Sequence, residues 1–141
     1  MMRLTTTTPR AKYKVQKPAP TPAEVLAKER AKAAREGLEL ALLQQLTALG
    51  LTDGMVRQFA PIPGRLFRVD FAWPEHRLLL ECDGGTWDGG AHGRGSGIEK
   101  DNEKLALCTL ERYYTIKATT SQVRSGMAAF WVERFLGGEE P

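Results

Sequence analysis

An α/β fold of the mixed α+β type is predicted, with a mixed sheet flanked by helices in the order α-β-β-β-α-β-α, and three observations predict it. The chain has 141 residues, 42% of them hydrophobic, which suits one domain whose core needs no disulfide or structural metal. Its apolar residues recur at helical spacing up to residue 49, alternate through 55–83, and return to helical spacing on either side of a short alternating run. Turn signals at Pro63-Gly64 and Pro74-Glu75-His76 cut the alternating stretch into three.

Residues 1–20 read as a disordered basic arm: four consecutive threonines, Pro9, Pro18 and Pro20, with few large apolar groups to offset ordering entropy. Residues 21–141 form a single domain, helical over 21–49, with a core over 55–118 and a C-terminal helix over 119–138. Thr21, Pro22 and Glu24 are the start signals of the first helix, a cap, a proline at the first position and a capping-box acid. That helix runs to about Leu49, where Leu49-Gly50-Leu51 fits a C-terminal cap, and Gly37 is a potential break. Its first part, Ala23 to Arg35, packs weakly, and Leu38 to Leu49 carries the core face.

The strands are expected at Met55–Ile62, Arg65–Trp73 and Arg77–Asp83. In the second, Phe67, Val69 and Phe71 alternate with Arg68 and Asp70, as in a strand with one face on the core. In the third, Leu78, Leu80 and Cys82 share one face and Leu79, Glu81 and Asp83 the other. A helix over Ile98–Leu110, a strand near Tyr113–Ala118 and a final helix from Thr119 or Thr120 complete the order. Val123, Met127, Phe130, Trp131 and Phe135 lie at helical spacing and are assigned to the core.

Charge is unevenly placed. Arg3, Arg10, Lys12, Lys14 and Lys17 fall within residues 1–22 without any acid, whereas the rest of the chain holds 15 cations and 17 acids. No apolar run approaches the ~18–20 residues of a membrane span, and no signal-peptide core is present. Cys82 and Cys108 form no Cys-x-x-Cys and are too few for a disulfide framework, so reduced thiols in a cytoplasmic protein are expected.

A hairpin geometry gives these residues chemical meaning. If Glu75-His76 is the loop between the second and third strands, Pro74 faces Arg77, and counting outward sets Asp70 opposite Glu81 and Arg68 opposite Asp83. Opposed carboxylates destabilise a sheet unless something offsets their repulsion. Asp70, Glu81 and Asp83 on one pleated surface supply the oxygen ligands that Mg²⁺ prefers, and such an ion activates water and neutralises charge developing on a phosphate. A merely soluble edge strand would also carry Glu81 and Asp83, but it does not account for Asp70 or for the glycine run that follows.

Residues 84–97 contain seven of the fourteen glycines, together with His92 and Arg94, and lead into a helix. Backbone amides in such a stretch can bind phosphate, with Arg94 adding a charged fork, although no Gly-Lys-Ser/Thr follows as in a Walker motif. On the next helix Lys100 and Lys104 are one turn apart, and Lys104 is placed to reach the carboxylates. His76, Cys82, His92 and Cys108 lack zinc-site spacing, and no Gly-x-Ser-x-Gly marks a serine hydrolase.

The motifs Arg-Val-Asp-Phe-Ala-Trp-Pro-Glu, Leu-Leu-Leu-Glu-Cys-Asp-Gly-Gly-Thr-Trp, Gly-Ala-His-Gly-Arg-Gly-Ser-Gly and Lys-Asp-Asn-Glu-Lys-Leu lie between Phe67 and Val123. Together they resemble the nucleases related to very-short-patch-repair endonuclease, small bacterial and phage proteins of the restriction-endonuclease-like PD-(D/E)XK superfamily. The resemblance implies a restriction-endonuclease-like core, with 55–118 the catalytic part. By position, Asp70 is the second-strand aspartate and Glu81 the third-strand acid. The superfamily's lysine is replaced by Asp83, so either Asp83 is a further ligand and Lys104 supplies the migrated cation, or the site is inactive.

The expectation that follows is a Mg²⁺-dependent DNA endonuclease, with Mn²⁺ able to substitute, acting in DNA repair, recombination or phage DNA processing in a bacterial cell or phage-infected host. Asp70, Glu81, Asp83 and the backbone carbonyl of Cys82 are the expected metal ligands, and Lys104 or His92 assists water activation. Arg68, Arg94, Lys100 and the arm residues Arg10, Lys12, Lys14 and Lys17 are expected to hold phosphates. A homodimer is expected if the substrate is branched DNA. The rival expectation is an inactive nuclease-fold module that binds DNA or serves assembly.

Overall fold

A computed structural model describes residues 16–83 and 95–138. Four strands form one mixed sheet in the order β1-β2-β3-β4, with β1 (Val56–Phe59), β2 (Val69–Trp73) and β3 (Leu78–Cys82) antiparallel and β4 (Tyr114–Ala118) parallel to β3. The parallel step requires a crossover, and α2 (Gly95–Leu110) lies between β3 and β4 in the chain. α1 (Pro22–Ala48), α3 (Thr120–Arg124) and α4 (Met127–Gly137) complete a mixed α+β domain. Among the described residues no helix is long and apolar enough to cross a membrane.

Two clusters of buried side chains show that helices cover both faces of the sheet. Leu38, Leu42 and Leu46 of α1 pack with Phe71, Trp73, Leu78 and Leu80 and with Val123, Ala128 and Val132. On the other side Cys108 of α2 packs with Ile62, Val69, Ala72 and Leu79. Burying a side chain such as Leu42 contributes roughly 1.5–3 kcal/mol. Buried Trp73 keeps its polar atom satisfied by donating Nε1–H to the Leu51 carbonyl at 2.7 Å.

Helix α1 begins and ends as its sequence signals require. The Glu24 amide donates to Thr21 Oγ1 at 3.3 Å while Glu24 Oε2 accepts from the Thr21 amide at 2.7 Å. At the other end Gly50 adopts φ 71°, and the Leu51 amide donates to the Leu46 carbonyl at 2.9 Å, closing a Schellman motif. Gly37 does not break the helix. A glycine costs a helix only about 1 kcal/mol relative to alanine, less than the anchoring supplied by Leu38, Leu42 and Leu46. Residues 22–37 are exposed throughout, as their alanine-rich composition predicted.

The hairpin register agrees with the count from the turn. Phe71 pairs with Leu80, Ala72 with Leu79 and Trp73 with Leu78, which sets Asp70 against Glu81. The turn is one turn of 3-10 helix, with the Arg77 amide donating to the Pro74 carbonyl at 3.1 Å and Arg77 in the left-handed region.

Three expectations need correction. The first two strands are shorter than predicted, because Gln58 has φ 49° and Pro61, Pro63 and Gly64 follow, leaving 60–68 as a loop. Strict alternation also fails in β2. Phe71 and Trp73 face α1, whereas Val69 and Phe67 join the cluster beneath α2, so the strand changes phase across Asp70. Finally, the last helix is two helices, split at Gly126 with φ 84°. The break rephases α4, so Ala128, Ala129 and Val132 are buried while Met127, Phe130 and Phe135 are exposed. Small alanines let the helix backbone approach its neighbours, and Phe135 instead packs its ring against Tyr114 at a centroid distance of 5.3 Å.

Candidate functional site

The phase change at Asp70 has a local cause and a chemical consequence. The Cys82 amide donates to Asp70 Oδ2 at 2.7 Å, so a carboxylate oxygen occupies an acceptor position beside the last β2–β3 pair. Here, where β2 begins and β3 ends, the sheet opens into a cleft of about 330 Å³. Asp70, Glu81, Cys82, Asp83, Arg68 and Lys104 all line it, so residues far apart in the sequence are brought to one place. Lys100 is exposed on α2 and outside the cleft lining. Lys17 is exposed ahead of α1, while Arg10, Lys12, Lys14, His92 and Arg94 lie outside the described residues.

The carboxylates of Asp70 and Glu81 are already engaged by protein donors. Lys104 Nζ donates to Glu81 Oε1 and, at 3.2 Å, to the backbone carbonyl of Arg68. Both side chains of that pair are about four-fifths buried, with 20% and 17% of their surface exposed, so solvent screens the pair weakly. The Lys104 ammonium also stands 5.5 Å from the Phe67 ring centroid, a cation–π contact. Asp83 is held through its backbone, its amide donating to the Ala118 carbonyl at 2.7 Å.

Glu39 is the residue that sequence reasoning missed. It is buried on α1, pairs with Arg57 Nη2 at 3.4 Å, and accepts from Gln58 Nε2 at 3.4 Å. The same Gln58 amide reaches Asp70 Oδ1 at 3.5 Å, bridging the two carboxylates. Burial, reinforced by a hydrogen bond to Asp70 and by its charge, pushes the Glu39 carboxyl up from 4.5 to about 7, against the opposing pull of Arg57. The signal was available: Glu39 shares a helix stripe with Leu42 and Leu46, and an acid on a core-facing stripe is the exception that calls for an explanation.

Three further cleft residues come from elements whose pairing was not predicted. Lys117 of β4 lies beside Glu81 in the parallel register, Arg35 enters from α1, and Gln58 from β1. Cys82 is a poor nucleophile, because burial first and then the charges of Asp70, Glu39 and Glu81 push its thiol up to about 12.

The donor set is oxygen-rich and suits a hard divalent cation rather than zinc. Among the described residues no three His, Cys, Asp or Glu side chains are grouped as a ready-made metal site. Magnesium does not need one, since it binds through one or two carboxylates and completes its shell with water and phosphate oxygens. Glu39 and Asp70 held together at the cost of a raised carboxyl are an arrangement that a nearby cation would relieve. In comparisons with known proteins, no family model, no curated protein and no solved structure matches the chain.

Proposed function

We propose that this protein is a metal-dependent DNA endonuclease that hydrolyses phosphodiester bonds, a restriction-endonuclease-like nuclease resembling the very-short-patch-repair group. The observation that carries the reading is the convergence of Asp70, Glu81 and Asp83 with Lys104 in one cleft, Glu39 standing behind Asp70. Asp70 and Glu81 would hold Mg²⁺ or Mn²⁺, with Asp83 and the Cys82 carbonyl completing the oxygen set. The ion, when bound, supplies Lewis acidity to the attacking water and to the scissile phosphate.

The chain's own residues do the rest. Lys104 donates a hydrogen bond to the Glu81 carboxylate at the end of β3, and were Glu81 to hold a cation instead, that ammonium would be available to a phosphate oxygen or to orient water. Arg35, Arg68 and Lys117 ring the same cleft and offset the negative charge of an approaching backbone. The carboxylates of the cleft thus serve chemistry, while its cations and the basic N-terminal segment serve capture.

Supercoiled plasmid incubated with Mg²⁺, Mn²⁺ or EDTA tests the reading. Cleavage that needs the metal and disappears in Asp70→Ala and Glu81→Ala is the expected result. Metal-independent binding without cleavage, unchanged in both variants, would instead support an inactive nuclease-fold module. A panel of linear, mismatched, single-stranded and four-way junction DNA then identifies the substrate, and sedimentation with the junction tests for a homodimer.

A further inference from the structure

The exposed half of α1 is more ordered in its chemistry than a solubilising helix requires. Residues 22–37 hold four cations, Lys28, Arg30, Lys32 and Arg35. At about 100° per residue, Lys32 and Arg35 fall within about 40° of Lys28, and so do Glu39, Leu42 and Leu46 further along. The stripe that buries Leu42 and Leu46 and delivers Glu39 to Asp70 therefore continues beyond the sheet as Arg35, Lys32 and Lys28. Arg35 is at the margin, already lining the cleft.

Between Glu24 at its start and Glu39 at the cleft, the charges on this stripe are all positive. Glu29 and Glu36 lie about 80–100° away on the flank, by the same helical geometry. Glu24 stands on the stripe at its first turn, where its carboxylate accepts from the Thr21 amide at 2.7 Å. Like charges meet at i,i+4 and i,i+3 in Lys28/Lys32 and Lys32/Arg35, and Glu24, Glu29 and Glu36 offset their repulsion at the same spacings. The capping box and the alanines at 23, 27, 31, 33 and 34 keep it helical nonetheless. A row of cations leading outward from a cleft is suited to a polyanion.

We propose that the overhanging half of α1 is a rail for duplex DNA, with Lys28, Lys32 and Arg35 holding the phosphate backbone as it leaves the cleft. The inference rests on the nuclease reading and extends it by naming double-stranded DNA and the side on which it runs. From Glu39 to Lys28 the helix rises about 16 Å, which matches roughly five base pairs at 3.4 Å each.

The test compares the native protein with Lys28→Gln/Lys32→Gln and with Lys28→Arg/Lys32→Arg on duplex DNA in a salt series. The Gln variant should lower the slope of log K against log salt by about 1.8, since each lost contact removes about 0.9. Its cleavage rate at saturating DNA and its helical circular dichroism should match the native protein, and the Arg variant should keep the native slope. Shortening the duplex on one side by about five base pairs should weaken native binding and leave the Gln variant unaffected. A native protein that cleaves DNA while the Gln variant keeps the native slope overturns the rail alone. A native protein that neither binds nor cleaves DNA overturns the nuclease reading and the rail with it.

Discussion

Lys104 of α2 donates to the Glu81 carboxylate of β3, joining the two elements at the mouth of the cleft. The same ammonium bonds the Arg68 carbonyl, so one side chain ties the loop leading into β2, the end of β3 and the helix between β3 and β4. A carboxylate this well occupied is either a structural anchor or a ligand whose partner yields to a cation. Measurement separates the two.

Lys104→Met should reduce cleavage about 100-fold or more, in the range typical of a lost electrostatic donor. A Lys104/Glu81 double-mutant cycle in urea should give a coupling of about 1–2 kcal/mol, above that of an exposed pair because both groups are mostly buried. Saturating Mg²⁺ should shrink that coupling, as Glu81 exchanges its ammonium for the ion. A coupling indifferent to Mg²⁺ would make the pair purely structural.

Glu39 predicts a pH dependence of stability. Its carboxyl stands near 7 in the folded protein against 4.5 ordinarily, so the folded state binds the proton more tightly than the unfolded chain. The stabilisation is complete below about 4.5 and is lost as pH rises through about 7. Urea unfolding should show Glu39→Gln flatter across that window and about 1–2 kcal/mol more stable than the native protein at pH 8, less than the full shift implies because Gln gives up the Arg57 pair. Mg²⁺ at pH 8 should recover part of the native loss. A native profile as flat as that of Glu39→Gln would remove Glu39 from the carboxylate cluster.

How much of this was legible depended on the range of the interaction. The capping box at Thr21 and the Schellman turn at Gly50 are local, and the residues that form them are adjacent in sequence. The facing of Asp70 and Glu81 could be counted because a short turn propagates its register along both strands. Glu39 and Lys117 could not be counted in, since they reach the site through a helix packing on a sheet and a parallel strand after a crossover. The phase of α4 was hidden for a related reason: five large residues keep helical spacing across Gly126, whose positive φ starts a new helix with a different buried face.

Two glycines of similar freedom should respond to alanine with opposite signs. Beyond its own stretch of backbone, neither Gly37 nor Gly126 has an atom within 4 Å of where a Cβ would stand, so the local backbone conformation decides. Gly37 is helical and exposed, and Gly37→Ala should stabilise by about 0.5–1 kcal/mol. Gly126 has φ 84°, and Gly126→Ala should destabilise by about 1–2 kcal/mol by forcing an L-residue into the left-handed region. Thermal unfolding of the two variants checks both, and a Gly126→Ala protein as stable as the native one would place the α3–α4 break elsewhere.

Asp70 has two functions that Asp70→Asn separates. One is structural, the acceptor for the Cys82 amide at 2.7 Å, and an asparagine oxygen retains it. The other is its charge, which the proposed metal site needs and which also helps raise Glu39. Asp70→Asn should therefore fold with stability within about 1 kcal/mol of the native protein, while cleavage falls by several orders of magnitude. It should also shift the Glu39 stability window toward lower pH, though only in part, since burial is the larger cause of the raised carboxyl. Asp70→Ala, which removes the acceptor too, should be the less stable of the two by about 1–3 kcal/mol because the Cys82 amide is left unsatisfied. Undiminished metal-dependent cleavage by Asp70→Asn would move the chemistry out of this cleft.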